Sequence, residues 1–374
     1  MTGWSRRNPW SPTAFMQACR REGEVETIAE PALGIARRIK AQGPDLPVLF
    51  SLEHLAATVD VPIGLLLSYV DREKDPYRVF SISKKRGPKS EASNRRTICV
   101  PEPLLSKTQC WIAAQILNNC KPHSSSTAYA PGSSLVNAVK EHCGARWLLK
   151  VDVKNFFESI NELMVFETFS SLGYPRPLCF QMARICTRVF GTAQFEVSKA
   201  RLGVLPQGAP SSPMLANLAV NELDEAISEI AIRRGWIYTR YADDLAFSTK
   251  RESSRHEAKE LIFSIVDEIR SFGLSPNNRK TTISPPGARK VLLGLNVDTS
   301  RPRLTRRFKN NLETHVYAIT NPSIGIKKHS EARQFRSEQS MIKHIAGLIA
   351  YARSIEPEYA DKLYRRLTAD AIST

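Results

Sequence analysis

The chain has 374 residues, with 53 Lys and Arg against 37 Asp and Glu and a hydrophobic fraction of 42%. That fraction excludes wholesale disorder, and the length suits two or three subdomains around a sizeable core. The formal charge of +16 points to a polyanionic partner, either nucleic acid or an anionic membrane surface.

In chain order, the first ten residues, MTGWSRRNPW, lack the apolar stretch of a secretory signal. Residues 1–50 are weakly patterned and read as short helices broken at Pro9, Pro12, Pro31, Pro44 and Pro47. Residues 51–70 read as two short helices joined near Pro62, a small packing module rather than a DNA-reading motif. YRVFSIS and RTICVP alternate in polarity around KKRGPKSEASNRR, which predicts a hairpin with a long charged tip over Tyr77–Pro101. A helix is expected from about Glu102 to Leu117, and WLLKVDV (147–153) is a strand.

A helix is expected from near Pro213 to about Arg234, ended by Gly235. WIYTRYADDLAFS (236–248) reads as a hairpin turning at Ala242-Asp243-Asp244. Ala258, Leu261, Ile262, Ile265, Val266 and Ile269 trace one face of a helix that Gly273 stops. VLLGLNV (291–297) reads as one further strand, and the remainder from about Arg306 is helical and basic. No run of about 18 apolar residues occurs, so no membrane span is expected. The 7 cysteines are scattered and form no C-x-x-C pair, which argues against a disulfide framework or a zinc ribbon. These features predict a cytoplasmic protein with reduced thiols.

The basic excess is concentrated. Nine basic residues fall between Arg72 and Arg96 against three acidic ones, and fourteen lie from Arg301 to the end against seven. Two such runs flanking a balanced centre fit the walls of a groove that follows a phosphate backbone. The centre holds the opposite feature: Asp152 late in one strand, and Asp243 with Asp244 at a hairpin turn. Adjacent aspartates among apolar strands repel one another, and a hard divalent cation removes that cost. Two Mg²⁺ ions held this way would support phosphoryl transfer from a triphosphate to a hydroxyl.

Taken in order, these segments resemble the reverse transcriptases, and among them the bacterial retron type. VDVKNFFESI (151–160) is similar to the family block that carries the first metal aspartate. LPQGAPSSPMLAN (205–217), YTRYADDLAFS (238–248) and NNRKTTI (277–283) are similar to its L-P-Q-G, Y-x-D-D and N-x-x-K-T blocks. RRTICVP (95–101) and AYAPGSSLVNA (128–138) resemble segments upstream of the first catalytic strand, and residues 345–363 resemble the retron C-terminal helical region. The resemblance spans about 75 to 374. It implies an α+β right-hand polymerase with an N-terminal helical extension (1–75), fingers (76–147), a palm with antiparallel sheet (148–300) and a basic helical thumb (301–374).

The resemblance also implies roles. Asp152, Asp243 and Asp244 would hold two Mg²⁺ ions, with the carbonyl of Val153 as a further ligand. Phe157 would exclude a 2′-hydroxyl, Phe156 being the partner that packs. Gln207 and Gly208 would meet the incoming nucleotide and template, Tyr241 would lie under the primer end, and Lys280 would sit near the pyrophosphate. Arg96 and Lys84 or Lys85 would contact the triphosphate, while Lys85, Arg86, Arg303, Arg306 and Arg307 would hold RNA. The implied activity is RNA-directed DNA synthesis from dNTPs on part of a cognate structured non-coding RNA. A 2′-hydroxyl of that RNA would prime the cDNA, and a separate effector encoded nearby would complete an anti-phage system. Two segments depart from the retron pattern: Asn137-Ala138 is followed by His142, one residue late, and Leu292-Leu293-Gly294 stands where V-T-G is common. Both regions are implied to help recognise the RNA. The departures leave room for a related defence-associated reverse transcriptase that is not a strict retron. A catalytically idle RNA-binding scaffold would have no use for three metal carboxylates, and a nucleotide cyclase would carry a different hairpin.

Overall fold

The computed structural model describes residues 11–22, 25–83, 95–190 and 202–371. Helix α1 (Pro12–Glu22), a π-helical turn (Val25–Ala29) and α2 (Glu30–Gln42) come first. Pro12 and Pro31 open these helices instead of breaking them, since a proline in the first turn forfeits no intrahelical bond. The expected pair follows as α3 (Leu52–Val59) and α4 (Ile63–Val70), with Ser51 capping α3 through His54 N. Strands β1 (Tyr77–Ser83) and β2 (Arg95–Pro101) form the expected antiparallel hairpin. Its tip, with Lys84, Lys85 and Arg86, lies outside the described residues.

Next come α5 (Pro103–Gln115), α6 (Leu135–Lys140), β3 (Trp147–Asp152), α7 (Phe156–Ser159), α8 (Glu162–Ser171) and α9 (Arg176–Cys186). The single helix expected from Pro213 to Arg234 is two, α10 (Ser212–Ala219) and α11 (Asn221–Arg233). They part at Val220 (φ −113°, ψ 19°). The hairpin β4 (Ile237–Tyr241) and β5 (Asp244–Thr249), helix α12 (Arg255–Ser271) and strand β6 (Thr282–Ser284) follow. The strand expected over 291–297 is instead a hairpin of β7 (Val291–Leu292) and β8 (Leu295–Asn296). Leu293 (φ 48°) and Gly294 (φ 85°) both take the left-handed region that a two-residue turn demands. Strand β9 (Arg303–Leu304) and helices α13 (Arg306–Thr320), α14 (Gly325–Ala332), α15 (Glu338–Arg353) and α16 (Pro357–Ala371) complete the chain. The mixture is α+β, as expected, and no helix among the described residues is long and apolar enough to cross a membrane.

The chain divides into two compact units, each drawn from separated stretches. The first comprises Met1–Gly132, Asp152–Ile227 and Val266–Asn277. Its helices bury Leu52, Leu66, Ile112, Phe169, Leu178 and Met182. Within it Glu162 accepts from Arg72 Nη2 (2.5 Å), Arg184 Nε (3.1 Å) and Gly203 N (3.1 Å). Two guanidiniums and a backbone amide compensate the buried carboxylate, and the segment entering the 205–208 loop is pinned in the process.

The second unit comprises Ser133–Val151, Ser228–Ile265 and Asn278–Thr374. It holds the sheet, in strand order β4-β5-β3-β6, and the α13–α16 bundle. Leu148, Ala246, Leu292, Leu295, Leu312, Val316, Met341 and Ile345 share one buried cluster in this unit, so the bundle packs on the sheet through apolar contact. His142 is fully buried, its Nδ1 at 2.7 Å from Ser248 Oγ and its Nε2 at 2.7 Å from Thr239 Oγ1. It ties α6 to β4 and β5, and offers no surface to an RNA.

Burial pushes His142 down to about 4, and His315 in α13 also down to about 4. The unfolded chain therefore takes up these protons first, near the ordinary histidine value. The stability these neutral rings support is complete above pH 6.5 and is lost as pH falls toward 4. His142 alone accounts for about 3 kcal/mol across that window. Urea unfolding at pH 7.5, 6 and 5 should show the decline. His142→Gln should flatten the slope even though it lowers the stability at pH 7.5; an unchanged slope would remove His142 as its source.

Candidate active site

In the first unit, the end of β3 leads into the turn of α7. Asp152, the last residue of β3, is 4% exposed. Asn277 holds it twice: its backbone N–H donates to the Asp152 carbonyl (2.6 Å), and its Nδ2 donates to Asp152 Oδ2 (2.8 Å). Val153 pairs with Pro276, and Lys154 N donates to Ser275 O (2.8 Å), so the extended pairing runs past the strand end and fixes the carboxylate's height. The carbonyl-bearing Val153 is itself buried.

Asn155 then takes a left-handed conformation (φ 47°, ψ 45°) and starts the single turn of α7. The turn sends Phe156 into the core at 3% exposure and leaves Phe157 half-buried. The expected division between a packing ring and an outward ring is therefore present. A second aromatic stands beside Phe157: the Tyr129 ring centroid lies 6.2 Å away, tilted by 56°. Tyr129 is 41% exposed and sits at φ 64°, an uncommon conformation for a bulky residue. Asn217 helps hold that segment, its buried Nδ2 donating to Ala128 O (2.7 Å).

The loop with Gln207 and Gly208 is anchored on both sides within the same unit. Leu205 N donates to Ile160 O (3.0 Å), and Cys99 N of β2 donates to Gln207 O (2.8 Å). Gly208 has φ 108°, and a Cβ there would stand 3.0 Å from the Cys99 carbonyl, so only glycine fits against the strand. The Gln207 side chain donates from Nε2 to Glu158 Oε1 (2.9 Å). Arg96, two residues beyond the hairpin tip on β2, is exposed.

The β4–β5 hairpin lies in the second unit. Tyr241 faces Asp244 across the register, and the turn residues are Ala242 (φ 56°) and Asp243. Asp244 is exposed, and Tyr241 and Asp243 are intermediate. Beneath the turn, Arg240 is 1% exposed and donates from Nη1 to the Ala242 carbonyl (3.2 Å). Tyr238 and Phe247 stack at 4.9 Å in the same ribbon and stiffen it. Lys280 is exposed in the turn before β6. In the basic C-terminal region, Arg306 and Arg307 are exposed in the first turn of α13, where no acidic residue offsets them. Arg303 is half-buried, its Nη1 at 3.9 Å from Glu356 Oε2, so part of its charge is used internally.

In the first unit Asp152 and the Val153 carbonyl, and in the second unit Asp243 and Asp244, offer oxygen donors only. Among the described residues no three His, Cys, Asp or Glu side chains gather as a ready-made metal centre. That chemistry fits Mg²⁺, which takes one or two carboxylates and fills its remaining positions with water and substrate phosphate oxygens. It does not fit zinc, which prefers a closed set of nitrogen and sulfur ligands.

Sequence reasoning assigned no role to Asn277, Glu158, Tyr129 or Arg240. Asn277 opens the N-x-x-K-T block quoted for its lysine, and Glu158 lies inside F-F-E-S-I, so both belong to recognisable motifs. Their partners are not marked in the same way, since Asn277 and Asp152 are 125 residues apart.

Comparison with known sequences bears directly on this arrangement. A family model described as "Reverse transcriptase (RNA-dependent DNA polymerase)" matches residues 82–297. The chain is similar to the Retron Ec86 reverse transcriptase of Escherichia coli, 30% identical over 322 residues that cover 86% of this chain and 88% of that protein. It is 29% identical to the Retron Mx65 reverse transcriptase of Myxococcus xanthus over 330 residues, which cover 86% of this chain and 72% of the relative. With the Retron Ec83 reverse transcriptase of Escherichia coli it shares 25% identity over 338 residues, 85% of this chain and 97% of the relative.

Proposed function

The chain belongs to the retron-type reverse transcriptases, which are RNA-directed DNA polymerases, and on that premise we propose that it copies part of a structured non-coding RNA into DNA that stays joined to the RNA. On this reading Asp152, Asp243 and Asp244, with the Val153 carbonyl, hold two Mg²⁺ ions. When bound, these ions supply the positive charge that favours a hydroxyl nucleophile and stabilises the departing pyrophosphate. Phe157 closes the space a 2′-hydroxyl would need. Gln207 and Gly208 border the incoming nucleotide, Tyr241 supports the primer end, and Lys280 offers its charge to the pyrophosphate. Arg96 and Lys84 reach the triphosphate, and Lys85, Arg86, Arg303, Arg306 and Arg307 bind RNA.

The observation that carries this reading is the double hold of Asn277 on Asp152. An amide orients the carboxylate, which is what a metal ligand requires of its neighbour. Asn277→Ala should cut dNTP incorporation by about 10- to 100-fold and raise the Mg²⁺ concentration needed for half-maximal rate. A variant with wild-type Mg²⁺ dependence would show that the hold serves folding alone.

The product linkage has its own test. Nucleic acid purified with the protein should contain DNA that carries a residual ribonucleotide branch after RNase treatment, and a 2′,5′-debranching enzyme should release it. DNA with a free 5′ end would overturn RNA-primed branching. The protein is proposed to work in the cytoplasm, with a separate effector, in defence against phage. Deleting the gene should then raise phage plating efficiency, and unchanged plating across a broad phage panel would count against that role.

A further inference from the structure

We propose that Glu158 is a positioning residue for nucleotide selection, acting by locking the side-chain amide of Gln207 in one orientation. The inference rests on the reading of Gln207 as a nucleotide contact and adds a residue to it.

The geometry is specific. Glu158 directly follows Phe157 on the single turn of α7, and its Oε1 accepts from Gln207 Nε2 at 2.9 Å. Its Oε2 is buried and has no hydrogen-bond partner among the described residues. Leaving a buried carboxylate oxygen unpaired costs stability, so the fold gains little from an acid here. An apolar side chain would pack at the same position without that penalty.

What a carboxylate offers that glutamine does not is a pair of acceptor oxygens with no amide donor. An amide facing a carboxylate has one acceptable orientation, with its nitrogen toward the acid. Gln207 Oε1 is thereby turned away from Glu158, and no described residue hydrogen-bonds to it. The backbone of the same residue is fixed independently by Cys99 N on the Gln207 carbonyl (2.8 Å). Main chain and side chain of Gln207 are thus held by two different elements, β2 and α7. The loop presents a hydrogen-bond acceptor and one remaining N–H in a fixed pattern. A neutral residue at 158 would let the amide turn over and exchange donor for acceptor.

The test is a double-mutant cycle on the full-length protein with its bound RNA, using an annealed RNA template and labelled dNTPs. Glu158→Ala should raise the KM for dNTP about five- to tenfold, a tenfold change being about 1.4 kcal/mol, with kcat within about twofold. Gln207→Ala should raise KM at least as much. In the Gln207→Ala background the Glu158 substitution should have no further effect, because the residue it acts through is gone. Glu158→Gln, which keeps shape and packing, should give an intermediate KM and an unchanged melting temperature. Additive effects in the cycle, or a wild-type KM for Glu158→Ala when Gln207→Ala is impaired, would overturn the role of Glu158 alone. A wild-type KM for Gln207→Ala would instead overturn the nucleotide contact on which the inference stands.

Discussion

Asp243→Asn and Asp244→Asn should each lower DNA synthesis by about a thousandfold or more while leaving RNA affinity within about twofold. The substitution keeps the size and turn-forming capacity of the side chain and removes only its charge. Asp244 is exposed and opens β5, and Asp243 is in the turn, so neither is part of the core. Surface changes of this kind usually alter stability by less than about 0.5 kcal/mol. With Mg²⁺ added, only the parent should gain stability, since only it keeps the full ligand set. Activity lost together with a large drop in melting temperature would mean that the aspartates hold the hairpin and not the metal. Asp152→Asn belongs to the same series, but its 4% exposure and its two bonds from Asn277 make a stability cost expected as well.

Phe157→Ala should raise the efficiency of ribonucleotide incorporation relative to deoxyribonucleotide by about 10- to 100-fold, the range a removed steric contact commands. The two adjacent phenylalanines supply an internal control. Phe156 is 3% exposed, and truncating it should cost about 3–5 kcal/mol of stability with sugar selectivity kept. Phe157 is half-buried and touches solvent, so its truncation should cost less stability and change selectivity. Tyr129, with its centroid 6.2 Å from that of Phe157, braces the ring from one side. Competition between ATP and dATP opposite a single template base measures the ratio directly. If Phe156→Ala, and not Phe157→Ala, admitted ribonucleotides, the gate would have to be reassigned to the inner ring.

Elements with one-sided periodicity were legible in the sequence. The α12 stripe from Ala258 to Ile269, the β4–β5 alternation and the two helices around Pro62 all needed only spacing and turn chemistry. Two of the expected elements were misread, for different reasons. The apolar pattern runs unbroken through Val220, because α10 and α11 bury the same side on either side of the break, as Leu215, Leu223 and Ile227 show. In VLLGLNV a Gly294 within an apolar run reads as strand interior, yet Leu293 accepts a left-handed backbone and the chain reverses. A leucine in that conformation is held by packing around it, which local propensity does not reveal.

The candidate site divides along the same line. Asp152, Asp243, Asp244, Gln207 and Lys280 were marked by ordered motifs. The pairings that orient them were not, because each is made through the fold: Asn277 to Asp152, Glu158 to Gln207, and Arg240 to the Ala242 carbonyl. His142 illustrates the converse. It lies in a region that the resemblance implies for RNA recognition, while its own side chain is sealed between Ser248 and Thr239.

The most direct test is primer extension by the purified protein on an RNA template with each labelled dNTP, with Mg²⁺ and with EDTA, beside the Asp243→Asn variant. The account predicts template-directed DNA synthesis by the parent in Mg²⁺, none in EDTA and none above background by the variant. Failure of the parent to incorporate any dNTP on any RNA template, its own co-purified RNA included, or undiminished synthesis by the variant, would contradict it.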